Sequence, residues 1–235
     1  PGAGNVIAAN AGDGISISSG VGNNVFGNAI GTNMDGALGL GNGQSGIHIR
    51  TNDNHVGDQF GTSLNTIAYN GEDGVTSDDP AVGNTAVRNL IFVNGTSTDD
   101  LGIDLAADGV TANDEDDVDA GANNLLNYPL VTAADSQSGA VTWTLSGLAL
   151  TDYRLEFYAS TICPGGIGVG QRYLGSTVTA TDGKGDAAGT TTTATSPVAG
   201  DHITMTATRR TFTGAGPFPT PLSFILNETS EFSPC

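Results

Sequence analysis

The sequence predicts an all-β chain in which a parallel β-solenoid is followed by an antiparallel β-sandwich of immunoglobulin-like type. Three observations carry that expectation. The first is an internal repeat of short apolar doublets punctuated by Asn and Gly. The second is a composition with 35 Gly in 235 residues, one Lys (Lys184) and abundant Asn, Thr and Asp, which disfavours helices and favours turns. The third is a change of grammar beyond about residue 134, from doublets to longer runs with alternating faces.

The repeat occupies residues 1 to about 106. One phrase, Asn-x-Ile/Val-x-x-Asn, reads at Asn5/Ile7/Asn10, Asn23/Val25/Asn28, Asn65/Ile67/Asn70 and Asn89/Ile91/Asn94. A second, Gly followed by alternating apolar residues, begins at Gly14, Gly46, Gly74 and Gly102, with spacings of 32, 28 and 28 residues. Period-2 alternation at Ile15/Ile17 and Ile47/Ile49 reads as strand. Corners after only three to five residues suit a coil of a parallel solenoid, not a hairpin meander. Asn recurring at one corner can form a ladder whose amides satisfy the backbone of adjacent coils. The segment from Gly31 to Gly43 interrupts the period and is expected to project as a loop or extra strand.

The run from Gly22 to Thr32, continued by Gly43-Gln44-Ser45-Gly46-Ile47-His48-Ile49 and by Asn52 to Gly57, resembles the right-handed parallel β-helix repeats of large secreted and cell-surface proteins of bacteria. The resemblance covers residues 1 to about 130 and implies a right-handed coil and an extracellular or cell-surface location. It implies no reaction.

Residues 99 to 119 hold nine acids and no base. Calcium requires six to eight hard oxygens around one point, and a tight acidic loop supplies them. Asp104, Asp108, Asn113, Asp114, Asp116 and Asp119 are the candidate ligands for Ca2+. The spacing is not that of an EF-hand, and the alternative is a solvated acidic linker. Asn123 to Leu130 follows as an apolar segment expected to seal the last coil. The acidic and capping segment 99–130 thus closes a first domain, 1–130.

The second domain, 131–235, contains runs such as Ala140 to Leu145, Arg154 to Tyr158, Tyr173 to Thr179, His202 to Ala207 and Leu222 to Leu226, separated by turn-rich stretches. Arg209 to Pro221, with three prolines and two glycines, is expected to protrude. The two cysteines serve either as one disulfide fastening the C-terminal residue or as two free thiols, which secreted proteins seldom leave exposed. The likeness to small sandwich modules attached to such β-helices implies the first, Cys163 with Cys235.

A net charge of −18 argues against nucleic acid as partner. No apolar run reaches membrane-spanning length. For catalysis the best local set is His48, Arg50, Asp53 and His55, against which stands the reading that His48 and Arg50 are ordinary outward residues flanking Ile47 and Ile49. A cleft for a polyanionic substrate needs several basic residues, and this half has only Arg50 and Arg88. Asn94-Gly95-Thr96 and Asn227-Glu228-Thr229 match the glycosylation triplet, which carries no weight in a bacterial protein. The expectation is therefore a non-enzymatic extracellular structural or adhesive module. Its partners are further copies of itself or an extracellular glycan or protein. The alternative is a carbohydrate-active β-helix enzyme or glycan-binding module. Pro1 enters in mid-repeat, so the first coil is expected to present an open edge, covered by preceding chain or by another subunit of a filament.

Overall fold

The computed structural model describes residues 4–58, 63–212 and 224–235. Its first part winds through three coils and begins a fourth. The first coil contains β1 (Val6–Ile7), β2 (Ile15–Ile17) and β3 (Asn24–Val25). The second contains β4 (Ala29–Ile30), β5 (Ile47–Ile49) and β6 (His55–Val56), and the third β7 (Thr66–Ala68), β8 (Val75–Ser77) and β9 (Thr85–Ala86). The fourth begins with β10 (Leu90–Phe92) and β11 (Ile103–Leu105). Stacking the coils yields three parallel sheets, β1-β4-β7-β10, β2-β5-β8-β11 and β3-β6-β9. The parallel β-solenoid expected from the repeat is present.

Strands this short persist because each coil continues the core of the next. Ile30, Ile47, Ile49, Ile67, Val75, Ile91, Ile103 and Leu105 stack as one buried column of rungs. The glycine that heads each strand of the second sheet is required by close approach. A Cβ on Gly74 would lie 2.3 Å from Ile91 Cγ2 and 2.5 Å from the Gly102 carbonyl. Such contacts are shorter than carbon packing permits.

Three Asn ladders bind the corners. Asn5–Asn28–Asn65–Asn89 runs with side-chain contacts of 3.0, 3.3 and 2.9 Å. Asn10–Asn42–Asn70–Asn94 has 2.8 Å at every step. Asn23–Asn54–Asn84 has 2.8 and 3.0 Å and ends on Asn123, whose Oδ1 accepts from the Asn84 N–H at 3.0 Å. The sequence phrase at Asn23/Val25/Asn28 is corrected here: the other three phrases pair the first ladder with the second, whereas Asn23 stands on the third ladder and Asn28 on the first, and Asn28 and Asn42 hold the second coil's places. The loop from Gly31 to Gly41 separates those two, carrying its own Thr32–Gly39 bridge, and thereby hides the register.

Beyond the solenoid, β12 (Leu130–Asp135), β13 (Ala140–Ser146), β14 (Asp152–Ser160), β15 (Arg172–Ala180), β16 (Asp186–Thr192), β17 (His202–Phe212) and β18 (Phe224–Thr229) form two antiparallel sheets. Their orders are β12-β13-β16 and β15-β14-β17-β18. Both contribute to one apolar cluster with Val141, Trp143, Leu155, Phe157, Leu174 and Met205. The protrusion expected between Arg209 and Pro221 falls, from residue 213 on, outside the described residues. Cys163 and Cys235 are joined by a disulfide with Cα atoms 6.1 Å apart. Among the described residues no helix is long and apolar enough to cross a membrane.

The antiparallel part caps the solenoid sheet by sheet. Ile91 of β10 exchanges backbone hydrogen bonds with Gly170 at 2.9 and 2.7 Å. The Leu105 N–H of β11 donates to Glu231 at 3.2 Å. The Ala86 N–H of β9 donates to Thr229 Oγ1 at 3.0 Å. Tyr158 and Phe232 enter the solenoid's own core cluster, so apolar packing is continuous across residue 130. The segment Ala122–Leu125 supplies the Asn123 rung, but most of the seal comes from residues 156–232. Strand periodicity could not reveal this, because contacts such as Ala86–Thr229 bridge 143 residues of sequence.

Candidate functional site

Among the described residues outside the ladders, three groups of polar side chains are candidates, two set by the coil geometry and one by the turn after it. On the second sheet the outward row is Ser16, His48, Thr76 and Asp104, in register. His48 Nε2 meets Asp78 Oδ1 at 2.6 Å, and its Nδ1 lies 2.7 Å from Arg50 Nη2 and 3.5 Å from Asp13 Oδ2. Arg50 also reaches Asp78 Oδ2 at 3.3 Å and donates to Ser16 Oγ at 2.6 Å. The four residues weighed as the best local catalytic set are thus divided. His48 and Arg50 are held by Asp13 and Asp78, whereas His55 lies on the third sheet against Thr85 Oγ1 at 3.1 Å, and Asp53 sits at the corner before it. Arg50 and His48, clasped by the two carboxylates, tie three coils together.

The second group is an acidic cleft beside the first, lined by Glu72, Asp73, Asp99, Asp100, Asp104 and Asp108 together with Ser45, His48 and Thr76. Burial, reinforced by the charge of Asp73, pushes the Asp104 carboxyl up to about 7. Asp104 is committed to its own loop, accepting from the Asp108 and Gly109 N–H groups at 3.3 and 3.2 Å. Glu231, 2% exposed, is pushed up to about 8 by burial while accepting from Leu105 and Thr111. Two carboxyls therefore hold protons near neutrality at the seam between solenoid and cap.

The third group is Asp114, Asp117 and Asp119, whose ligand oxygens all lie within 4.8 Å of one another. Asp114 Oδ1 and Asp119 Oδ1 are buried with no hydrogen-bond donor. Burial, with Asp114 and Asp119 adding repulsion, pushes Asp117 up to about 6, although the Asn127 N–H at 2.8 Å works against the rise. Converging carboxylates with undonated oxygens fit a hard cation, which would take such ligands at about 2.3–2.6 Å.

Of the six residues expected around Ca2+, the structure brings together Asp114 and Asp119. Asp104 and Asp108 belong to the acidic cleft. Asn113 pairs with the Tyr128 main chain at 2.8 and 3.0 Å, and Asp116 is exposed. Asp117 joins the cluster without having been singled out. The segment is a turn with no period, and nothing in its sequence says which of Asp116 and Asp117 points inward. The second three-ligand group, Cys163, His202 and Cys235, has both sulfurs committed to the disulfide.

Compared with protein-family models, the chain matches none, and no curated protein is similar to it at a significant level.

Proposed function

We propose that the chain is a non-enzymatic structural or adhesive module of an extracellular protein. The observation that carries this reading is the use made of the repeated polar residues. Seven ladder asparagines, Asn42, Asn54, Asn65, Asn70, Asn84, Asn89 and Asn123, are nearly fully buried and spent on neighbouring coils. A surface built for catalysis would aim recurrent polar groups at a substrate, whereas these are turned into the stack. The coil is read as right-handed, the sense adopted by nearly all parallel crossovers. The antiparallel part is read as immunoglobulin-like. Its seven strands divide three and four, as in constant-type domains, with the second sheet carrying the fourth strand. The disulfide agrees with an oxidising compartment.

Self-association fits the same reading. Asn28, Asn42 and Asn54 each accept two donors from the coil before them, so Asn5, Asn10 and Asn23 are oriented to accept in the same way from a further coil, in this chain or in another copy. Electron microscopy tests this directly: end-to-end rods at high concentration support stacking, and uniform monomers refute it. A calcium ion is assigned to Asp114, Asp117 and Asp119 as a structural ligand, supported by the undonated oxygens of Asp114 and Asp119 and by the convergence of all three carboxylates.

The alternative, a carbohydrate-active enzyme, draws on the His48–Arg50–Asp78 contacts. A screen of neutral and uronate-containing polysaccharides separates the two. Product formation that disappears in Arg50→Ala would establish the enzyme.

A further inference from the structure

The outer face of the third sheet carries a notch that the fold does not need. In register along this sheet are Asn24, His55 and Thr85, followed one position later by Val25, Val56 and Ala86, which face the core. The next position is Phe26 on the first coil, Gly57 on the second and Val87 on the third. Gly57 has φ +96°, and a Cβ there would lie 1.8 Å from the Val87 carbonyl. Glycine is thus required, because the next coil's Val87 carbonyl and Asn89 Oδ1 take up the place of a side chain, and the phenylalanine of the first coil has no bulky neighbour at this position on the second. Phe26 is 50% exposed, and Ile225 on β18, 48% exposed, forms another part of the lining. The open groove measures about 280 Å³.

The floor is polar where the walls are apolar. His55 Nδ1 is engaged with Thr85 Oγ1 at 3.1 Å, which directs Nε2 away from that hydroxyl. Asn24 anchors its Nδ2 on the Gly22 carbonyl at 3.0 Å, which fixes the amide plane beside the phenyl ring. One exposed aromatic face beside a fixed row of amide, imidazole and hydroxyl groups matches a pyranose, which has an apolar face and a rim of hydroxyls. Asp58 at the mouth and the net charge of −18 disfavour uronates and sulfated sugars.

We propose that this groove binds a neutral pyranose unit of an extracellular glycan, stacked on Phe26 and hydrogen-bonded by Asn24 and by His55, whose ring Thr85 holds in place. The proposal rests on the adhesive reading above and gives it a ligand class.

The test is saturation-transfer NMR of the whole chain with methyl glucoside, methyl galactoside, methyl glucosaminide and glucuronate, followed by titration of the responding sugar. The expected result is a dissociation constant on the order of millimolar for a neutral glycoside, suitable for one small ligand in a shallow site. Phe26→Ala, at an exposed position, should weaken binding about tenfold with an unchanged melting temperature, and His55→Ala should also weaken it. Absence of transfer from every neutral glycoside overturns the proposal. So does binding that survives Phe26→Ala unchanged, or glucuronate binding as tight as the neutral sugars. Hydrolysis or elimination of a glycan would instead defeat the non-enzymatic reading itself, so the two failures are distinguishable.

Discussion

Asn70 shows what a ladder residue does. Its Oδ1 accepts from the Asn42 side chain at 2.8 Å and from the Asn42 N–H at 3.3 Å, while its own Nδ2 reaches Asn94 at 2.8 Å. Replacing it by Ala orphans two buried donors, each costing about 1–3 kcal/mol. Asn70→Ala is therefore expected to lower stability by about 2–4 kcal/mol in denaturant titration, whereas Asn10→Ala, at the exposed end, should cost less than about 1 kcal/mol. Equal losses at the two sites would contradict the ladder. Glu231 supports a second residue-level prediction. Its folded pKa is raised from 4.5 to about 8, so between those values the native state keeps a proton that the unfolded chain has released. Stability must then fall as pH rises from about 4.5 towards 8, with up to ~1.4 kcal/mol per pH unit for the proton involved. Glu231→Gln should flatten that slope in melting curves taken across this range; an unchanged slope would show that the carboxyl is ionised in the fold.

At the scale of elements, the acidic turn gives the most direct ligand prediction. Extracellular calcium modules bind with Kd of about 0.1–1 mM, so ~10 mM Ca2+ should add about 1.4–2.7 kcal/mol. That is about 3–10 °C in melting temperature for a chain of this size. Asp117→Asn should abolish the shift, and a melting temperature insensitive to both Ca2+ and EDTA would remove the ion from the account. The strands themselves were largely legible. Gly14, Gly46, Gly74 and Gly102 head β2, β5, β8 and β11 because a coil must bring backbones into contact at that point, and only glycine permits it. Register was legible only where coils had equal length. The Gly31–Gly41 loop separates Asn28 from Asn42, so Asn23 and Asn28 mimicked the spacing of a first-and-second-ladder pair while standing on the third and the first. The candidate site was less legible still, because side chains in the aperiodic turn after Ala112 take their direction from packing. Asp104 was placed by strand alternation on β11, and so the structure puts it in a different cluster from Asp114.

For the whole molecule, the apolar column of the solenoid does not stop at its last coil. Phe232 and Tyr158 pack against it with ring centroids 5.2 Å apart, and a Cβ on Gly102 would lie only 2.8 Å from the Phe232 ring. Neither half of the chain has a finished surface at this seam. Phe232→Ala is expected to cost about 3–5 kcal/mol. In the wild type, Trp143 fluorescence, reporting the antiparallel core, and far-ultraviolet dichroism should show one shared midpoint. Two separated transitions would mean that the cap is a docked neighbour and not part of one unit. A continuous stack of coils and cap suits the proposed structural or adhesive role, in which the polar groups would hold coils together without turning over a substrate. The measurement that bears on it most directly is a reducing-end and unsaturated-product assay of the purified chain on neutral and uronate-containing polysaccharides. The account predicts no product above the buffer rate, and product release that is lost in Arg50→Ala would contradict it.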